Sequence, residues 1–281
     1  MNITHIVPGL DSGASVSLKS EHTRALESIS AAAEYSSRGD LELRVIEVCD
    51  HSWNPFITPG VEVFRDKIDF IYINNKWGIR PKLRSFFPES LISNTDYIVF
   101  TNSDICVTNQ FYERIHEIIS NGTFAGSIHR RTVLGVDPSD SGSIEKAIKS
   151  ENWYLHPGSD CFFFPAKTAE ALRASEVVMG IPPVGRLTLL TLSSSNVSFK
   201  KFASLGITFH FGDDRVWHRS KRLKKLRARN FRYMYFAFPR LISMVGVKGF
   251  IRGIRTVGFP NPLAWTSLAV GRLRARFSKG P

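Results

Sequence analysis

Over the first 215 residues, short apolar runs alternate with helical patterns, and that alternation decides the fold class. Residues 3–8, 41–48, 70–73, 97–101, 124–128, 161–164 and 207–211 read as strands. Residues 21–37, 111–119, 144–150 and 168–174 carry helical spacing, and Arg38-Gly39-Asp40 stops the first of these helices. Strands alternating with helices predict an α/β sandwich around a mostly parallel mixed sheet. In such sheets ligands bind beyond the carboxyl ends of the strands, so polar residues just after a strand are the ones to inspect.

Three segments meet that description. In YIVFTNSDICV (97–107) an apolar strand runs directly into Asn102-Ser103-Asp104. A carboxylate there is placed to hold a hard divalent cation, which in turn neutralises a diphosphate. The plainer alternative is that Asp104 caps the next turn. In the second segment, residues 208–217, a strand delivers His210, then Gly212, Asp213 and Arg215. Imidazole ligates divalent transition metals, Gly permits close backbone approach, and Arg makes forked contacts with phosphate oxygens. A lone strand-end histidine can equally be a core or surface residue. The third segment, WYLHPGSD (153–160), runs into the strand CFFF. Asp160 beside that much aromatic surface needs a partner or a job, and a well-made Pro-Gly turn competes with a pocket role for His156 and Gly158.

Together these features resemble the GT-A class of nucleotide-sugar glycosyltransferases, over roughly residues 1–217. Asn102-Ser103-Asp104 is similar to the D-x-D signature of that class, with Asn in the first acidic position. The segment from His210 to Trp217 resembles the H-x-x-G-x-x-K-P-W stretch of the retaining galactosyltransferase and glycogenin-like branch. Here it is one residue shorter, with Arg for Lys and Val for Pro. The resemblance implies a Rossmann-like GT-A fold and a divalent metal (Mn²⁺ or Mg²⁺) held by Asp104 and His210. It implies donor contacts from Asn102, Ser103 and Arg215, with Pro8 and Asp11 near the base or ribose. Arg80 either reaches the nucleotide or faces solvent. His156, Gly158, Gly212 and Asp213 fall at the sugar pocket, with Asp160 as the catalytic or sugar-binding carboxylate. An inverting reaction would make Asp160 the base for the acceptor hydroxyl; a retaining one would have it orient the sugar.

Composition matters once charge is located. The formal net charge is +12, yet all 25 Asp and Glu, with 21 of the 37 Lys and Arg, precede residue 216. A body of net −4 is joined to an acid-free tail carrying 16 basic groups. Residues 218–281 are expected to form a basic, aromatic helical extension to the catalytic domain at 1–217. In RSKRLKKLRARNFR (219–232) and the later segments, basic faces lie beside Phe, Leu and Trp faces, which suits helices in a membrane interface. Lipid-linked acceptors would lie in the same plane. RNA binding and a solvated helical appendage packed on the body are the alternatives.

Three cysteines, odd in number and in no C-x-x-C spacing, support neither a disulfide framework nor a zinc site. No signal peptide is visible, and the longest charge-free stretch of the tail, 256–271, contains Pro260 and Pro262 and reads poorly as a spanning helix. The expected location is therefore cytoplasmic and peripheral to a membrane. There is no G-x-x-x-x-G-K-[ST], no G-x-G-x-x-G after the first strand and no G-x-S-x-G. The expected function is transfer of a sugar from a nucleotide-sugar donor to a glycan or lipid-linked acceptor in cell-surface polysaccharide or glycolipid synthesis. The rival is a non-catalytic protein binding RNA or an anionic surface, with a degenerate α/β body.

Overall fold

The computed structural model describes residues 1–11, 14–37, 41–72, 79–156, 158–196, 198–212 and 221–258. Strand β1 (Asn2–Pro8) leads into helix α1 (Val16–Ser36), followed by β2 (Glu42–Asp50) and β3 (Glu62–Asp66). Next come β4 (Phe70–Tyr72), β5 (Ile79–Pro81), α2 (Glu89–Ile92), β6 (Tyr97–Thr101), β7 (Cys106–Val107) and α3 (Phe111–Ser120). The chain continues through β8 (Ala125–Ile128), β9 (Arg131–Val133), α4 (Ser143–Lys149), β10 (Trp153–Leu155) and β11 (Cys161–Pro165). Helices α5 (Ala169–Arg173) and α6 (Val184–Ser195), strands β12 (Phe199–Phe202) and β13 (Thr208–Phe211), and α7 (Lys221–Val257) follow.

The main sheet has seven strands in the order β12-β8-β11-β6-β1-β2-β3. All its neighbours are parallel except β11, which runs against both β6 and β8. The expected α/β architecture with a mostly parallel mixed sheet is therefore present. β6 and β11 at its centre are buried on both faces, which is why they read as continuous apolar runs. Ile98 and Phe100 of β6, with Phe162 and Phe164 of β11, pack on one face beside Phe87, Leu91 and α6. The alternate residues Val99 and Phe163 pack on the other face with Leu26 and Ile29 of α1 and Ile115 of α3.

A second sheet, ordered β10-β9-β13-β7, stands where β6 ends, because β7 follows β6 within five residues. Its register sets His210 of β13 opposite Thr132 of β9, and Thr132 opposite Tyr154 of β10. The expected strand at 207–211 thus belongs to this smaller sheet.

Other expectations are corrected. Residues 70–72 pair with β5 in a separate two-stranded ribbon, and the third parallel strand of the main sheet is β3. That strand, EVFRD, lies at the sheet edge and is largely exposed, so it lacks the apolar run that marks a buried strand. Helix α1 begins five residues before the expected start, at Val16, because Ser15 caps it by accepting from the Leu18 N–H (3.3 Å).

The tail expectation takes a definite form between 221 and 257. Helix α7 is two helical stretches joined at Gly246, whose φ of 71° only glycine adopts readily. Met234, Leu241 and Ile254 are buried with Val177, Leu187 and Leu190 of the body. Asn230 donates to the carbonyls of Val178 and Ile181 and accepts from the Val178 N–H. Arg252 donates to the Ser193 and Ser194 carbonyls at the end of α6 (3.0 and 2.6 Å). A stretch within Arg227–Val257 has the length and apolar composition to cross a bilayer. That stretch is not charge-free, since Arg240, Lys248, Arg252 and Arg255 fall within the helix. Residues 259–281 lie outside the described residues.

Candidate functional site

The carboxyl end of β6 leads into the turn at 102–105 and on into the second sheet, which carries His210 on β13. Three side chains converge there. His210 Nε2 lies 3.1 Å from Asp104 Oδ2 and 3.7 Å from Glu21 Oε2. One ligand atom from each of Glu21, Asp104 and His210 falls within 4.8 Å of the others. Each comes from a different element: Glu21 from α1, Asp104 from the β6–β7 turn, His210 from β13. The sequence brings forward Asp104 and His210 but misses Glu21. Glu21 stands in the second turn of α1, where Ser17 donates to its Oε1 (2.9 Å).

The electrostatics of the triad are uneven. Burial pushes the Asp104 carboxyl up, but the charge and hydrogen bond of His210, with the Arg130 charge, outweigh it and hold Asp104 well below the usual carboxylate range. Glu21 shifts the other way: burial raises it and the Asp104 charge adds to that, against the lowering effects of Ser17, His210 and Arg130. Asp104 Oδ1 is buried and finds no hydrogen-bond donor among the described residues. A buried carboxylate oxygen without a donor is costly unless something else satisfies it. Two carboxylates and an imidazole, spaced as ligand atoms around a single ion, form a donor set that fits a divalent cation.

A second group adjoins the first. Asn102 Nδ2 donates to Asp160 Oδ1 (2.8 Å), and the Asn102 N–H donates to the Asp160 carbonyl (3.0 Å). Arg130 is 4% exposed, and its Nε lies 3.3 Å from Asp160 Oδ2. His156 Nδ1 lies 3.6 Å from that same oxygen and accepts from the Gly158 N–H (3.0 Å), which leaves Nε2 to carry the ring hydrogen of the neutral form. Burial, then the Arg130 charge, lowers the His156 imidazole below its ordinary range. A Cβ at Gly158 would meet the His156 ring at 2.6 Å, so a larger residue there would displace that ring. Arg130 was missed although it obeys the strand-end rule, standing two residues beyond β8.

Underneath, a buried pair fixes the Asp104 turn. His22 Nδ1 donates to the Ser103 carbonyl (2.7 Å), and His22 Nε2 meets Glu47 Oε1 (2.9 Å), with both side chains fully buried. Glu47 Oε2 accepts from the Phe56 N–H (3.2 Å).

The remaining expected residues fall as follows. Pro8 ends β1 beside Val48, and Asp11 is exposed in the loop to α1, its carbonyl accepting from the Ala14 N–H. Arg80 lies in β5, opposite Ile71; its side chain is outside the described residues. Gly212 turns the chain out of β13 with φ at 81°. Asp213 and Arg215 lie outside the described residues.

No protein-family model matches the sequence, and no curated protein matches it. Among solved structures, the chain is similar to residues 1–349 of S. aureus TarS in complex with UDP-GlcNAc. That overlap has a TM-score of 0.46 and 10% identity, covering 89% of this chain and 75% of that one. The same TarS segment in complex with UDP gives a TM-score of 0.43 and 11% identity, covering 89% and 74%. An overlap this partial concerns shape, and the chemistry rests on the residues of the site itself.

Proposed function

We propose that the protein is a metal-dependent glycosyltransferase of the GT-A type, a hexosyl transferase in cell-surface polysaccharide or glycolipid synthesis. It takes its sugar from a nucleotide-sugar donor and passes it to a glycan or lipid-linked acceptor. The observation that carries this reading is the convergence of Glu21, Asp104 and His210 at the carboxyl ends of parallel strands, with Asp104 Oδ1 buried and unsatisfied. Those three residues would hold Mn²⁺ or Mg²⁺. Once bound, the ion supplies positive charge that attracts the donor diphosphate and stabilises it as it departs.

The chain's own residues do the rest. Arg215 adds a second positive group for the diphosphate, and Pro8, Asp11 and Arg80 border the nucleoside. Asp160, with His156 and Gly158, faces the transferred sugar. The Asn102 amide and the Arg130 guanidinium both engage the Asp160 carboxylate, which favours a sugar-orienting role over that of a free base. The place of work is the cytoplasmic surface of a membrane, reached through the basic residues 219–281.

A panel of nucleotide sugars, read by thermal shift and by hydrolysis with and without Mn²⁺, tests the reading. At least one donor should stabilise the protein and be hydrolysed only with the metal, and Asp104→Ala should abolish both. A panel in which no donor binds, or Asp104→Ala turning over at the wild-type rate, would rule the reading out.

A further inference from the structure

We propose that the outward rows of the two stretches of α7 seat the protein on an anionic lipid surface, with neither stretch crossing it. This rests on the membrane-surface reading of the tail and narrows it to the outward sides of the two stretches of α7.

The inward side of α7 is committed to the body through buried Met234, Leu241 and Ile254 and through the hydrogen bonds of Asn230 and Arg252. What remains is an uncovered row on each of its two stretches, which turn so sharply at Gly246 that the Phe238 and Phe250 rings meet at 5.1 Å between centroids. Phe236, Arg240 and Met244 recur every fourth residue, which places them on one side of the first helical stretch. Beyond the break at Gly246, Val247, Ile251 and Arg255 do the same, with Lys248 alongside. Phe236 is 64% exposed and Val247 62%, far more than large apolar side chains need be in a helix that already has a buried side. Apolar residues aligned in a row, as these are, mark an interaction surface where a single exposed leucine would not.

Charge names the partner. From residue 216 onward there is no Asp or Glu, so nothing on the tail offsets Arg240, Lys248 and Arg255. Apolar tips between cations match a lipid interface, where acyl chains lie just beneath anionic headgroups. The same apolar stretch could span a bilayer by composition. Crossing would strip Met234 and Leu241 from the body and carry Arg240, Lys248 and Arg252 into hydrocarbon, which strongly disfavours them. Lying flat keeps both sides satisfied.

The test is flotation of the full chain with vesicles of phosphatidylcholine alone or with 30% phosphatidylglycerol, at about 0.15 M salt. Wild type should float with the anionic vesicles only. Arg240→Ala with Lys248→Ala and Arg255→Ala should weaken partitioning by about fivefold per charge removed. Phe236→Ser with Val247→Ser and Ile251→Ser should weaken it at least tenfold, and circular dichroism should show both sets folded, since every substituted position is outward. Wild type that ignores anionic vesicles overturns the membrane reading as a whole. Wild type that floats while both variant sets float equally well overturns this face alone and moves the contact elsewhere on the tail. Salt-sensitive capture of single-stranded RNA without flotation gives the face to nucleic acid and also overturns the proposal. None of these outcomes depends on turnover, so the sugar-transfer reading stands or falls separately.

Discussion

Glu21 and His22 are neighbours on α1 with different partners: Glu21 meets His210, and His22 grips the carbonyl next to Asp104. A carbonyl only accepts, so His22 Nδ1 carries a hydrogen, and Nε2 faces the Glu47 carboxyl at 2.9 Å. Buried pairs of this kind add little net stability over apolar replacements, but removing one partner is costly. His22→Ala should therefore destabilise the fold by about 3–5 kcal/mol in urea titration. Glu47→Gln, which can still hydrogen-bond His22, should cost much less, and equal costs would contradict a positioning role. His5 gives a pH prediction. Fully buried between Tyr112 Oη (2.7 Å) and Thr101 Oγ1 (3.0 Å), its imidazole is pushed by burial from 6.5 down to about 3. As pH falls below 6.5 the unfolded chain takes up a proton that the folded chain refuses. The stability present above 6.5 is then lost at about 1.4 kcal/mol per pH unit until about pH 3. Denaturant midpoints at pH 7 and pH 5 should show this loss in wild type and a shallower one in His5→Gln; parallel slopes would contradict it. At this scale the sequence revealed the site only where function and strand ends coincide. Asp104 and His210 terminate or follow apolar runs and were legible. Glu21 sits in a polar helix turn that reads as ordinary solvated surface, and only the tertiary fold turns it inward.

Among the elements, legibility followed burial. β6 and β11 are covered on both sides and appear in the sequence as unbroken apolar runs, whereas buried β1 carries Thr4 and His5 within its run. β3 and β12 are edge strands whose Glu, Arg and Lys side chains face water, so neither carries a periodic signal. Helix α6, VGRLTLLTLSSS, escaped notice for the opposite reason: from Leu187 to Ser194 every residue is buried, leaving no polar face to set a period. Part of that covering is α7, so the tail helix contributes to the core as well as to the surface. Leu241→Ala, at a position 4% exposed, should cost about 2–5 kcal/mol in thermal or urea unfolding. Outward-facing Met244→Ala on the same helix should stay within about 0.5 kcal/mol of wild type. If the two cost the same, α7 does not dock as described.

Across the whole molecule, two charge regimes serve two tasks. The body of net −4 gathers Glu21, Asp104 and Asp160 near one another with Arg130 buried beside Asp160, an arrangement suited to taking up a cation before a diphosphate. Among the described residues of the acid-free tail, Arg240, Lys248 and Arg255 are exposed on the sides of α7 that the body leaves uncovered, while Arg252 turns inward to α6. Segregated charge was visible in the sequence; which side of the helix would remain free was not, since that depends on the docking against α6. The central claim is that Glu21, Asp104 and His210 hold a divalent ion. Mn²⁺ titration into the full chain, followed by the electron paramagnetic resonance signal of the free aqueous ion, tests it most directly. The account predicts one bound ion per chain, lost in both Asp104→Ala and His210→Ala. Unchanged Mn²⁺ uptake in those variants, or none in wild type, would contradict it.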